Sequence, residues 1–161
     1  MPVKIFYSWQ SKTDEKVNRY FLRDCIQDAI SELEKELKDN SPGFVLEMDT
    51  TGLPGAPNIP IKIHDRIKGT DIYIPDLTFI QKPKEEDTEG ISAPNVNIEY
   101  GYALGENITE ERIIGIMNTA YGAPEKLPFD IKQRRFPITY HLEPGSTNEQ
   151  IKEVKKALVP K

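Results

Sequence analysis

Two hydrophobic periods alternate along this 161-residue chain, and that alternation limits its fold more than any other feature. Short apolar runs suited to strands recur between stretches whose apolar residues return every three or four positions. Val3-Lys4-Ile5-Phe6-Tyr7 reads as a strand that runs into the polar loop Ser8 to Thr13. Thr13 predicts the cap of a long amphipathic helix reaching about Asp39, with Val17, Phe21, Leu22, Cys25, Ile26, Ala29, Ile30, Leu33 and Leu37 along one face. Asn40-Ser41-Pro42-Gly43 stops it, and Phe44 to Met48 forms a second strand. A loop rich in proline and glycine follows, from Asp49 to Asn58. Ile59, Ile63 and Ile67 then predict a short helix closed by Gly69. Asp71-Ile72-Tyr73-Ile74 reads as a third strand, whose pairing Pro75 must end for want of an N–H.

The charged stretch from Lys82 to Gly90 predicts a mobile loop. Beyond Pro94, residues Val96, Ile98, Tyr100, Tyr102, Ala103 and Leu104 suit a buried helix ended by Gly105. Arg112 to Met117 predicts a fourth strand, and Phe136 to Tyr140 a fifth, placed at an edge by Pro137. Thr147 and Gln150 spell a capping box for a last helix, where Ile151, Val154 and Leu158 share a face. This order predicts one flavodoxin-like α/β domain over residues 1–161, with a five-stranded parallel sheet and helices on both faces. Ligands of such sheets bind beyond the carboxyl ends of the strands, where the loops after the first three strands and the start of the helix after Pro94 converge.

Composition narrows the functional classes. A net charge of −5 and a pI near 5.2 argue against a nucleic-acid partner. The short basic run Lys132-Gln133-Arg134-Arg135 reads as a solvated loop or helix end. The absence of a signal-peptide stretch, and of any run of some 18 apolar residues, predicts a cytoplasmic protein off the membrane. Cys25 is the sole cysteine, which rules out an internal disulfide, and its helical neighbours suggest a small buried apolar residue.

Familiar motifs are scarce. The chain has no Walker loop, no metalloprotease helix and no Gly-x-Ser-x-Gly elbow, and Gly52-Leu53-Pro54-Gly55 lacks the spacing of a dinucleotide fingerprint. His64 and His141 are far apart, and His64 reads as structural, so no metal is expected. The distinctive segment is Pro94-Asn95-Val96-Asn97-Ile98-Glu99-Tyr100-Gly101-Tyr102-Ala103-Leu104. A glutamate facing inward among such neighbours is a candidate functional carboxylate. One facing outward would merely hold a neighbouring loop, and the residues themselves leave both readings open. Gly101 hints at close packing nearby. Trp9 brings a large aromatic to the ligand edge, or packs against the long helix.

Taken together, these segments resemble bacterial TIR domains. Ile5-Phe6-Tyr7-Ser8-Trp9-Gln10-Ser11 is similar to the first TIR box, and Asp49-x-x-Gly-x-Pro-Gly with Ile59, Ile63, Ile67 and Asp71-Ile-Tyr-Ile to the second. Asp76-Leu77-Thr78, then Asn95-Val96-x-x-Glu99-x-Gly101-Tyr-Ala, resembles the pattern of bacterial TIR-like and deoxyribosyltransferase-like enzymes, with the Lys82–Gly90 insert as the departure. The likeness is to NAD-cleaving anti-phage effectors, including TIR domains fused to a STING-like cyclic-dinucleotide sensor. It implies an NAD+ glycohydrolase that needs no cofactor and yields nicotinamide with ADP-ribose or a cyclic form of it. Glu99 would be its catalytic carboxylate; Tyr7, Ser8, Trp9, Gln10, Asp49, Gly55, Asp76, Thr78 and Asn95 would bind substrate. It also implies self-association through TIR–TIR contacts and a sensor domain in cis or in trans, this chain being an excised effector domain. A nucleoside deoxyribosyltransferase-like enzyme and a non-catalytic TIR interaction module are the competing readings.

Overall fold

The computed structural model describes residues 1–48, 58–105 and 108–160. Strand β1 (Val3–Ser8) lies between β2 (Phe44–Met48) and β3 (Ile72–Pro75), parallel to both. A second parallel pair, β6 (Ile116–Asn118) with β7 (Ile138–Tyr140), joins β3 through single parallel bridges at Tyr73–Ile113 and Asp76–Ile116. The order β2-β1-β3-β6-β7 is therefore the expected doubly wound arrangement, with a thin seam in place of a full ladder between β3 and β6.

The helices cover both faces. Helix α1 (Arg19–Leu37) and the last helix, α5 (Asn148–Leu158), enclose one core with Ile5, Tyr7, Leu22, Ile74 and Leu158. Helices α2 (Ile59–Lys68) and α3 (Pro94–Gly105) cover the other face over Phe6, Ile67, Tyr73 and Tyr100. Residues one apart on β1 and β3 thus enter different cores, as the pleat requires. Burial on both faces explains the continuous apolar runs of these strands.

Local chemistry sets several boundaries apart from those expected. The first helix begins at Arg19, not beside Thr13, because Thr13 accepts a hydrogen bond from Gln10 Nε2 at 2.9 Å within the preceding loop. Pro75 does not end the β1–β3 pairing: it stands opposite Ser8, and the Asp76 N–H then donates to the Ser8 carbonyl at 2.9 Å. The fourth strand is shorter than expected. Residues Glu110–Arg112 form a 3-10 turn, and Leu77 presses so closely on Gly115 that a Cβ there would lie 2.9 Å from its methyl group.

The charged insert is anchored rather than merely looped. Its flanks pair as an antiparallel hairpin of β4 (Phe79–Gln81) and β5 (Ile91–Ser92). Lys126 Nζ donates to the Lys84 carbonyl at 2.6 Å, and the Gly90 N–H to the Lys126 carbonyl at 2.7 Å. A one-turn helix, α4 (Phe129–Lys132), leads towards β7. The capping box forms as expected: Thr147 accepts from the Gln150 N–H, and Gln150 returns a bond to the Thr147 N–H. Among the described residues, no helix is long and apolar enough to cross a membrane.

Candidate active site

Side chains alternate along β1, so Phe6 and Ser8 face α2 and α3 while Ile5 and Tyr7 face α1. Ser8 is the last strand residue, which brings its hydroxyl to the carboxyl edge of the sheet. On α3 the buried stripe is Val96, Glu99, Tyr100 and Ala103, at helical spacing. Glu99 falls inside that stripe and is 8 % exposed, whereas the apolar Ile98 beside it is 65 % exposed. The acid is inside and the isoleucine outside, the reverse of what their solvation prefers.

Ser8 Oγ donates a short hydrogen bond to Glu99 Oε2. No lysine or arginine among the described residues forms an ion pair with this carboxylate. Burial pushes the Glu99 pKa above the ordinary glutamate value, and the Ser8 hydrogen bond partly opposes the rise. A pocket of about 220 Å³ opens over the pair. Ser11, Lys12 and Trp9 line it from the loop after β1, Asn95 from the start of α3 and Ile63 from α2.

The other residues singled out from sequence divide by position. Asn95 Nδ2 donates to the Trp9 carbonyl at 3.2 Å and pins the start of α3 to the β1 loop. Trp9 borders the pocket but also packs as a core residue, half-buried against the α1 side with the Arg19 guanidinium 3.3 Å from its ring centroid. Gln10 touches the pocket, yet its amide is committed within the loop, to Thr13 Oγ1 and to the Lys12 N–H at 2.7 Å. Tyr7 borders the pocket at the strand end while its side chain is wholly buried in the opposite core.

Asp76 and Thr78 do not line the pocket. Asp76 follows the register of Ile74 and enters the α1 core, where its Oδ1 accepts from the Thr78 N–H at 3.0 Å. Thr78 Oγ1 accepts from Asn18 Nδ2 at 3.2 Å and the Asn118 N–H at 2.9 Å, and Asn118 Nδ2 reaches Asn18 Oδ1 at 3.1 Å. All four residues are buried, and together they clamp β3, β6 and the approach to α1. Asp49 and Gly55, with most of the Pro-Gly loop, lie outside the described residues. Gly101 is exposed with no heavy atom near its missing Cβ, so close packing does not account for it.

Sequence reading passed over Tyr73 and Lys12. Tyr73 is wholly buried on the Ser8 face, and the only hint in the sequence was an aromatic with a polar tip inside an apolar strand. Among the described residues, no group of three or more His, Cys, Asp or Glu side chains converges to hold a metal ion. His64 stacks on Tyr102 at 4.0 Å and 10°, a packing contact between α2 and α3.

No family model and no curated protein matches the sequence. Several solved structures resemble it, two of them as follows. A 2-desoxiribosyltransferase from Leishmania mexicana matches at 20 % identity and a TM-score of 0.40, over 73 % of this chain and 65 % of that one. The chain therefore spans just under two thirds of that enzyme's length. A CMP N-glycosidase from Clostridium botulinum, BcmB, matches at 17 % identity and a TM-score of 0.43, over 96 % of this chain and 99 % of that one.

Proposed function

We propose that this chain cleaves the N-glycosidic bond of a nucleotide, with NAD+ as substrate and Glu99 as the catalytic carboxylate. One observation carries the reading: a buried glutamate, held by a serine hydroxyl and forming no ion pair among the described residues, borders an open pocket at the carboxyl edge of the sheet. A buried carboxylate without a counter-charge is costly, and a substrate that brings positive charge to it offsets that cost. The nicotinamide–ribose linkage is already cationic, and its cleavage moves that charge to the anomeric carbon.

When this bond breaks, its electron pair stays on the pyridine nitrogen and neutralises it, so the leaving group needs no proton. Glu99 stabilises the oxocarbenium-like carbon that remains, or bonds to it as an ester. Water then adds to that carbon and loses a proton, giving ADP-ribose; attack by a nucleophile within the same molecule gives a cyclic product instead. The pocket is smaller than the roughly 300–1,000 Å³ typical of ligand sites, which suits a nicotinamide–ribose unit with the rest of the dinucleotide outside it. Lys12 and Ser11 line the same pocket and make no side-chain hydrogen bond or ion pair among the described residues, so they are available to the pyrophosphate.

The resemblance to bacterial TIR effectors supports a further part of the proposal, that self-association driven by a sensor raises the activity. The test is nicotinamide release from NAD+ at high protein concentration, comparing the parent with Glu99→Gln. Release lost in a folded variant supports the assignment. Base exchange on nucleosides without nicotinamide release would replace it with a transferase, and inactivity towards both, even when clustered, with an interaction module.

A further inference from the structure

Asn95 and Glu99 stand four residues apart on α3, so they share a face one turn apart, with about 5–6 Å between their Cβ atoms. Both line the pocket, the exposed Asn95 at its rim and the buried Glu99 one turn deeper. The amide of Asn95 has a fixed sense. The Trp9 carbonyl only accepts, so the atom that meets it at 3.2 Å is the donor Nδ2, and Oδ1 is turned away from it. That oxygen makes no hydrogen bond among the described residues.

The rest of the lining offers few side-chain acceptors. Gln10 spends its oxygen on the Lys12 N–H, Ser8 is buried against Glu99, and Lys12 and the Trp9 indole only donate. Ser11 belongs to the loop after β1 and not to the helix face of the carboxylate. A ribosyl group whose anomeric carbon sits at Glu99 carries a hydroxyl on the adjoining carbon, and that hydroxyl is a donor in want of an acceptor. We propose that Asn95 Oδ1 accepts from it, so that the site takes ribosyl rather than 2-deoxyribosyl N-glycosides. The inference rests on the assignment of Glu99 as the catalytic carboxylate and names the sugar class of that same site. Trp9 holds the amide before substrate arrives, so little side-chain freedom is lost on binding. A hydrogen bond to this hydroxyl strengthens as the neighbouring carbon becomes cationic, so it acts on turnover as well as on binding.

The test compares NAD+ with its analogue lacking the 2′-hydroxyl on the nicotinamide ribose, in the parent and in Asn95→Ala. The readout is the ratio of kcat/KM for the two compounds, because the hydroxyl's effect on intrinsic bond cleavage is the same in both proteins and cancels. Asn95→Ala should shift that ratio roughly three- to tenfold towards the deoxy compound. Loss of the Trp9 contact alone would slow both compounds alike, and an unchanged ratio overturns the proposal. Dissociation constants measured by calorimetry in Glu99→Gln, with and without Asn95→Ala, give the same comparison without turnover. A ribose preference there that Asn95→Ala removes, from a parent that releases no nicotinamide, would overturn the catalytic reading and leave the sugar-binding role intact. Equal binding of the two compounds by Glu99→Gln overturns the sugar-binding role.

Discussion

Glu99 and Asp76 are both buried carboxylates, but they lie on opposite faces of one sheet and lead to opposite expectations. Glu99 borders a pocket, so its charge has a use; Asp76 is sealed in the α1 core, and both its Oδ2 and the Tyr7 hydroxyl lack a partner there. Burial raises the Asp76 pKa to about 6 from 3.8, opposed by hydrogen bonding to Thr78. The folded state therefore holds this proton more tightly than the unfolded chain does. Its contribution to stability is present below about pH 4 and is lost as pH rises to about 6, a swing on the order of 3 kcal/mol. Asp76→Asn should flatten the thermal stability profile across that window; an unchanged slope would contradict the assignment. Glu99→Gln should cut nicotinamide release by about a thousandfold or more without lowering the melting temperature. Because burial also raises the Glu99 pKa, kcat/KM should fall on acidification from a pH above the ordinary glutamate range. Ser8→Ala, which removes the opposing hydrogen bond, should move that limb higher still. Cys25, pushed up to about 12 by burial, should resist thiol reagents until the protein unfolds.

Elements differ in what holds them in place. Helix α5 is stapled at its start by reciprocal bonds between Thr147 and Gln150, and Lys155 reaches across to Asp28 of α1 at 2.7 Å. Thr147→Ala should cost about 1 kcal/mol, read as a shift of the urea midpoint with little change in slope. The β4–β5 hairpin is docked differently. Phe79 is wholly buried between Gly90 and Gly122, where an added Cβ would meet its ring at 2.5 Å and 2.7 Å. Gly122 also has φ of +135°, outside the range of most residues with a side chain. Gly122→Ala should destabilise the chain more than the cap variant does, in the same urea measurement. These contacts explain why a stretch with the composition of a free loop is tied to the body of the protein. Backbone carbonyls, one phenylalanine and the Glu89 carboxylate, which accepts from the Phe129 N–H at 3.3 Å, do the anchoring.

At the scale of the whole molecule, the two-faced sheet separates support from chemistry. The α1 and α5 face is a packed core with a buried polar clamp, and the α2 and α3 face carries the pocket at its upper edge. If clustering completes the site, specific activity should rise with protein concentration and on fusion to an oligomerising partner. A specific activity that stays flat over a hundredfold range of concentration would count against regulation by self-association. Among the residues lining the pocket, Lys12 is the one that carries a positive charge. Lys12→Ala should raise KM for NAD+ while leaving turnover of an unphosphorylated nicotinamide nucleoside unchanged.

The alternation of periods in the chain was enough to determine the parallel α/β architecture, because each element must bury a face that its own spacing already marks out. The capping box and the stops at Pro42-Gly43 and Gly69 were legible for the same reason: their geometry is local. The inward direction of Glu99 was partly legible, since Val96, Tyr100 and Ala103 trace the stripe that includes it. Only tertiary structure decided that Ser8, ninety-one positions away, would meet that carboxylate, and that Asp76 would turn into the other core. Those outcomes depend on strand register, and a shift of one residue along a strand moves every side chain to the opposite face.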